Sequence, residues 1–328
     1  MKKIITLIAA ALSVAIILTA CTNASNTENA DKSEAKKISI VTTIFPEYDW
    51  VRQILGEKIN DTELTMLLDN GVDLHNYQPS AEDILKFSNC DLFIYIGGES
   101  DSWVADALKT AKNKDMKVIN LLEALGEKAK EEEQIEGMET DDDNDEEEET
   151  EYDEHIWLSL KNAKVLCSAI SAALCEIDSA NADIYKSNLD EYTKKLDTLD
   201  EEYAEAVKNA KYDTLVFGDR FPFRYMTDDY SIKYYAAFAG CSAETEASFD
   251  TIKFLANKVD ELNLTTVLTI DTPKHRIAQT VIDNTKQKNQ KILSLNSMQS
   301  VTSEDVETGE TYLNIMRNNL DILSQALN

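Results

Sequence analysis

The sequence predicts an α/β protein of two lobes, each a parallel sheet flanked by helices, joined by one long helix. Three observations carry that expectation. β-Branched apolar runs alternate with helical periodicity twice along the chain, and strands alternating with helices build parallel sheets. Between the two alternating regions lies a stretch, residues 180–210, with helical spacing and charges on one face. Finally, 328 residues with 43% hydrophobic side chains but only nine Gly and four Pro exceed one ordinary core and are too poor in turn residues for an all-β or linker-dominated architecture.

The elements follow in order. Residues 38–43 (ISIVTT) read as a strand, 47–55 as a helix, 64–68 as a short strand and 80–87 as a helix started by Pro79. Residues 91–96 (DLFIYI) form the next strand and run into Gly97 and Gly98, with a helix over 103–111 and a strand over 117–120. Residues 131–154 hold 16 acidic side chains among 24 and no histidine. Such a segment cannot pack a core and is expected to be a disordered loop within the first lobe, 38–178. Helices over 159–177 and 180–210 follow, the second linking the lobes across 179–210. The second lobe, 211–328, repeats the plan. Its strands are 214–217 (TLVF), 232–236 (IKYYA), 266–270 (TVLTI) and 291–295 (KILSL), and its helices 249–262, 275–288 and 312–326. In open α/β sheets ligands lie beyond the carboxyl ends of the strands, so site residues are sought just after strands, facing the other lobe.

The N-terminus reads as an address. Lys2 and Lys3 precede an apolar run over 4–20 of the length of an export signal, giving a signal peptide over 1–20. Residues 18–21 (LTAC) resemble the bacterial lipoprotein box, in which Cys21 would be diacylated as the first residue of the mature chain. The polar stretch 21–37 is then a tether, and the protein works outside the cell, held to the membrane through its lipid anchor. Of the remaining cysteines, Cys167 and Cys175 fall eight residues apart in one helix, about 12 Å along the axis and beyond disulfide reach. Cys90, Cys167, Cys175 and Cys241 are read as free thiols. A net charge of −29, from 32 basic and 61 acidic side chains, repels a phosphate backbone and excludes nucleic acid as a partner.

Only three histidines occur. His75 lies in the loop after the second strand and His155 closes the acidic segment, so both sit at loop-to-helix positions facing the expected cleft and are candidate metal ligands. His275, on a later helix, is read as an ordinary imidazole.

These residues carry a resemblance. The run His75, Asn76, Tyr77, Gln78, Pro79, Ser80, Ala81, Glu82, Asp83, continuing through Asn89, Cys90, Asp91 and Leu92 to Gly97, is similar to the first-lobe signature of the zinc and manganese solute-binding lipoproteins of ABC importers. Asp153 to Ser159 (DEHIWLS) resembles their second signature. Residues 97–103 (GGESDSW) and 242–248 (SAETEAS) and the closing helix also fit, and the likeness runs from about Ile38 to the end. It implies a rigid helix between the lobes and a single divalent transition metal, Zn²⁺ or alternatively Mn²⁺ or iron, held in the cleft. It further implies delivery of that metal to the ABC permease by a monomeric protein without catalysis.

The chain departs from that family where a third ligand is due. The family carries His or Glu after the first strand of lobe two; here the residues are Gly218, Asp219, Arg220, Phe221. Glycine has no donor; Asp219, one place along, could supply an oxygen and is the expected third ligand, although an Asp beside Arg220 reads as readily as a structural ion pair. A fourth carboxylate is missing from 296–299 (NSMQ), where Asn296 or Gln299 offers only a carbonyl. Glu246 is expected to orient a ligand histidine from behind, with Glu244 and Asp271 as further candidates. Two imidazoles with a carboxylate suit tetrahedral Zn²⁺, and binding is expected to weaken below about pH 6 as the imidazoles protonate. Two His and a carboxylate also occur in metallohydrolases, but no H-E-x-x-H or G-x-S-x-G is present. A role in cell adhesion is compatible with an anchored lobe pair.

Overall fold

A computed structural model describes residues 37–139, 151–242, 246–271 and 274–328. The signal segment, Cys21 and most of the tether lie outside them, as do Glu244 and the middle of the acidic segment.

Lobe one runs β1 (Ile38–Thr42), α1 (Phe45–Leu55), β2 (Thr62–Met66), α2 (Ala81–Asn89), β3 (Leu92–Tyr95), α3 (Trp103–Thr110), β4 (Lys117–Asn120) and the short α4 (Leu121–Leu125). Its sheet has the order β2-β1-β3-β4 with every pair parallel, Ile40 standing opposite both Leu64 and Leu92. β1 and β3 are apolar nearly throughout because both faces of a central parallel strand are covered by helices. Two buried acids of this lobe accept from backbone amides, one within the lobe and one in lobe two. Glu47 Oε2 accepts from the amides of Thr43 and Ile44 at the start of α1, and Asp49 Oδ2 accepts from the amide of Tyr312 at 3.0 Å.

Two helices, α5 (Leu160–Ile177) and α6 (Ala182–Lys208), connect to lobe two. Along α6 the buried residues are Tyr185, Tyr192, Leu196, Leu199 and Tyr203. That three-and-four spacing lays one apolar stripe on a helix whose other face is charged. The helix is fastened to both lobes: Asn188 Nδ2 donates to the carbonyl of Ile54 at 2.9 Å near its start, and Tyr203 Oη donates to the carbonyl of Met316 at 2.6 Å near its end. Among the described residues no single helix is long and apolar enough to cross a membrane.

Lobe two comprises β5 (Thr214–Phe221), α7 (Arg224–Tyr230), β6 (Lys233–Ala239), α8 (Phe249–Glu261), β7 (Thr266–Ile270), α9 (Arg276–Asn284), β8 (Lys291–Leu295), α10 (Ser303–Glu307) and α11 (Tyr312–Ala326). Its sheet order, β6-β5-β7-β8, repeats that of lobe one, so β6 is the counterpart of β2. The expected strand 232–236 runs on to Ala239 and 64–68 is found at Thr62–Met66; the larger difference is in β5, which continues four residues further. Pairing with β6 resumes at Arg220 opposite Phe238 after a register shift between Phe217 and Arg220, so Gly218, Asp219 and Arg220 are strand residues, not a loop.

The acidic segment also differs from the expected structureless loop, because both of its ends are ordered. Glu131 bridges Tyr152 in antiparallel fashion, the amide of Glu132 donates to Glu151 at 2.9 Å and that of Asp153 to Lys130 at 2.8 Å. Farther along, the amide of Glu139 donates to Ala237 of β6 at 2.9 Å, and Met138 is buried. Backbone pairing and one apolar anchor hold the ends although the composition is hostile to a core. Cys90 and Cys167 are buried, Cys175 and Cys241 half-buried, and all four are free thiols.

Candidate metal centre

His75 is positioned by a short turn and two props. Asp73 Oδ1 accepts from the His75 amide at 3.1 Å and so caps the turn Leu74–Asn76, while Asp73 Oδ2 accepts from Arg220 Nη2 of lobe two at 2.6 Å. Behind the ring, Nδ1 lies 2.8 Å from Ser100 Oγ. Ser100 belongs to the loop after β3, and its amide donates to Glu154 Oε1 at 2.8 Å. That approach requires glycine at 98: with φ of +80°, a Cβ there would stand 2.4 Å from Glu154 Oε1. Glu154 is 1% exposed, its Oε2 has no hydrogen-bond partner among the described residues, and that oxygen stands 3.9 Å from His75 Nδ1.

His155 is fully buried. Asp153 Oδ1 accepts from its backbone amide and from Nδ1, each at 2.9 Å. A carboxylate in this role only accepts, so the partner assigns the proton to Nδ1 and leaves Nε2 with a free lone pair. That lone pair faces His75 Nε2 at 3.2 Å. Two nitrogens bound to one tetrahedral zinc at 2.0–2.1 Å are about 3.3 Å apart, so the pair is spaced for a shared cation. Burial, and next the neighbouring His155, depress the His75 pKa to about 3. His75 is therefore neutral at pH 7 and ready to ligate.

A third donor reaches the same point. One donor atom each of His75, His155 and Cys241 all lie within 4.8 Å of one another. Cys241 follows β6 by two residues, its amide donating to Glu132 Oε1 at 3.0 Å. Burial and then the acids Glu132, Glu154 and Asp153 push its thiol well above the ordinary cysteine range. Gly240 lets this strand end close on the imidazole: a Cβ there would meet His155 Cε1 at 2.9 Å and Nδ1 at 3.0 Å.

The other residues singled out in the sequence do different work. Gly218 packs against α9, where an added Cβ would stand 2.4 Å from the Ala278 Cα, so the position is taken by helix-to-strand contact. Asp219 is outside the converging donor group; its Oδ1 accepts from the Arg220 amide at 2.9 Å, and burial raises its pKa. Glu246 is exposed, and the carboxylate that orients a histidine is instead Asp153. Asp271 Oδ1 clamps the amide and hydroxyl of Ser297 at 2.7 and 2.8 Å. Asn296 Oδ1 accepts from the amide of Met298 at 2.8 Å, whereas the buried Gln299 side-chain amide has no hydrogen-bond partner among the described residues. Cys241 belongs to no tight cysteine spacing, so no local pattern marked it as a neighbour of the two histidines. The usable signal was topological: it follows the strand of lobe two that corresponds to the strand before His75.

The comparisons agree with this architecture. Residues 40–326 match the family model described as ZnuA, zinc-uptake complex component A periplasmic. The zinc-binding lipoprotein AdcA of Streptococcus pneumoniae (strain ATCC BAA-255 / R6) is 31% identical over 329 residues, which is 99% of this chain and 61% of that protein, so the chain spans less than two thirds of this relative's length. The high-affinity zinc uptake system protein ZnuA of Bacillus subtilis (strain 168) is 27% identical over 95% of this chain and 94% of its own length. The crystal structure of the Zn(II)-bound ZnuA-like domain of Streptococcus pneumoniae AdcA aligns with a TM-score of 0.69 at 27% identity, covering 89% of this chain and 99% of that one. With a match over nearly all of both lobes and a paired-histidine centre between them, the chain belongs to the ZnuA family of zinc-uptake complex components.

Proposed function

We propose that this protein captures Zn²⁺ between its lobes outside the cell and hands it to the permease of an ABC importer, without catalysis. The observation that carries the reading is the pair of Nε2 atoms 3.2 Å apart, each ring braced from behind by Ser100 or Asp153. Preorganised imidazoles of this kind bind a cation without first having to be desolvated or turned. Family membership supports the same reading, since the named relatives are zinc-binding or zinc-uptake proteins. Mn²⁺ and iron, the alternative cargoes, favour sites richer in oxygen than two nitrogens. A metallohydrolase is the alternative that the same donors allow, and the family match over residues 40–326 favours transport. We further propose that Cys21 carries the lipid that holds a monomeric protein at the extracellular face of the membrane, and that His75 and His155 are ligands.

The test is competitive titration of the full chain with zinc and manganese. His75→Ala and His155→Ala should each weaken zinc binding by about 100-fold or more, because losing only a group that braces a ligand costs roughly 10- to 100-fold. Unchanged affinity in both variants would remove the site. Asp219→Ala should leave zinc affinity unchanged, and a loss as large as that of a histidine variant would restore Asp219 as a ligand.

A further inference from the structure

The two-histidine pair leaves a tetrahedral ion two positions short. The position at which a third family ligand is due cannot fill one of them, because Gly218 is pressed against Ala278 of α9 and Arg220 is tied to Asp73. We propose that Cys241 is the third ligand, making a His2Cys centre whose sulfur biases the protein towards zinc-like metals and against manganese. This inference rests on the zinc-capture reading and adds to it the donor that sets selectivity.

Four observations support it. The donor atoms of His75, His155 and Cys241 converge within 4.8 Å, and a tetrahedral ion with Zn–N near 2.05 Å and Zn–S near 2.3 Å needs nitrogen-to-sulfur distances of about 3.6 Å, inside that limit. The two sheets repeat one strand order, and His75 and Cys241 follow corresponding edge strands, β2 and β6; both therefore emerge beyond carboxyl ends, where open α/β sheets bind ligands. Gly240 is the residue type that lets the end of β6 approach the His155 ring, since any Cβ would come within 2.9 Å of it. Behind the His75 ring, the buried Glu154 Oε2 has no hydrogen-bond partner among the described residues and stands 3.9 Å from Nδ1, so an acid lies within reach of the far nitrogen of a ligand imidazole. On binding, the Cys241 S–H proton passes to solvent as the Sγ–metal bond forms, and no oxidant or reductant takes part. Thiolate is a soft donor that favours zinc-like ions, whereas Mn²⁺ prefers oxygen.

Cobalt(II) is the probe. Titrated into the full chain it should give visible d–d bands and, in addition, an intense near-ultraviolet thiolate-to-cobalt charge-transfer band. Cys241→Ser should abolish the near-ultraviolet band while keeping d–d bands, weaken zinc binding by at least about tenfold and narrow the zinc-to-manganese preference by a similar factor. Cys175→Ser, a change at the other half-buried thiol, should leave the spectrum intact. If the wild-type chain shows d–d bands that His75→Ala removes but no charge-transfer band, the sulfur is not a ligand; the inference falls while the zinc-capture reading stands. A wild-type chain that binds neither cobalt nor zinc would overturn both.

Discussion

The two strand ends that face each other across the centre are built differently. In lobe one, His75 is held by a surrounding framework: Asp73 on its amide, Ser100 on Nδ1 and Glu154 behind Ser100. In lobe two, Cys241 has Glu132 on its amide and the Glu154 backbone at its sulfur, and it owes its close approach to what is absent, the missing side chain of Gly240. The lesson is that a donor can be placed by hydrogen bonds or by an empty space. The first method leaves a run of polar residues in the sequence; the second leaves a single glycine.

Three changes sharpen that contrast, taken from the largest effect. Gly218→Ala puts a Cβ 2.4 Å from backbone at Ala278, where no flexible side-chain tip can yield. Overpacking of this sort costs about 3 kcal/mol, so thermal denaturation should show a clear loss of stability; a variant as stable as the parent would mean that α9 does not need the glycine. Gly240→Ala should act on the centre more than on the fold. Its Cβ would push the His155 ring and crowd the Phe221 carbonyl at 3.0 Å, lowering zinc affinity about tenfold, the scale seen when a group that supports a ligand is disturbed, with a smaller loss of melting temperature than Gly218→Ala. Equal affinity would show that space at 240 does not position Cys241.

The smallest effect belongs to the framework of lobe one. Asp101 is buried, and burial first, with the charge of Glu154 adding to it, raises its pKa to about 7. An acid whose pKa is raised by folding favours the folded state at low pH, and that contribution is lost as pH climbs from the unfolded value near 4 through about 7. Asp101→Asn can still accept from the Gly97 amide, as Asp101 does at 3.0 Å, but has no charge to bury. Relative to the parent it should therefore gain melting temperature between pH 5 and pH 8. A difference independent of pH would show that Asp101 does not titrate in that range.

Much of this could be read along the chain. Strands 117–120, 266–270 and 291–295 were legible to the residue because short β-branched runs between polar breaks admit little else. His75 and His155 stood out because imidazole is scarce here and both rings follow motif-bearing segments. β5 was read too short because glycine and two charged residues do not look like strand, yet the extra residues pair with β6 in the sheet. The acidic segment looked structureless for the same reason: composition registers side chains, whereas the pairing of 131–132 with 151–152 is made by backbone.

The sequence by itself determined the two-lobed α/β plan, the free thiols and the two imidazoles, since periodicity and residue chemistry are local properties. Only the tertiary structure decided which third side chain meets them. The choice between Asp219 and Cys241 depends on strand register and on whether a helix backbone sits against Gly218, and those distances arise between segments far apart in the chain, which local pattern does not encode.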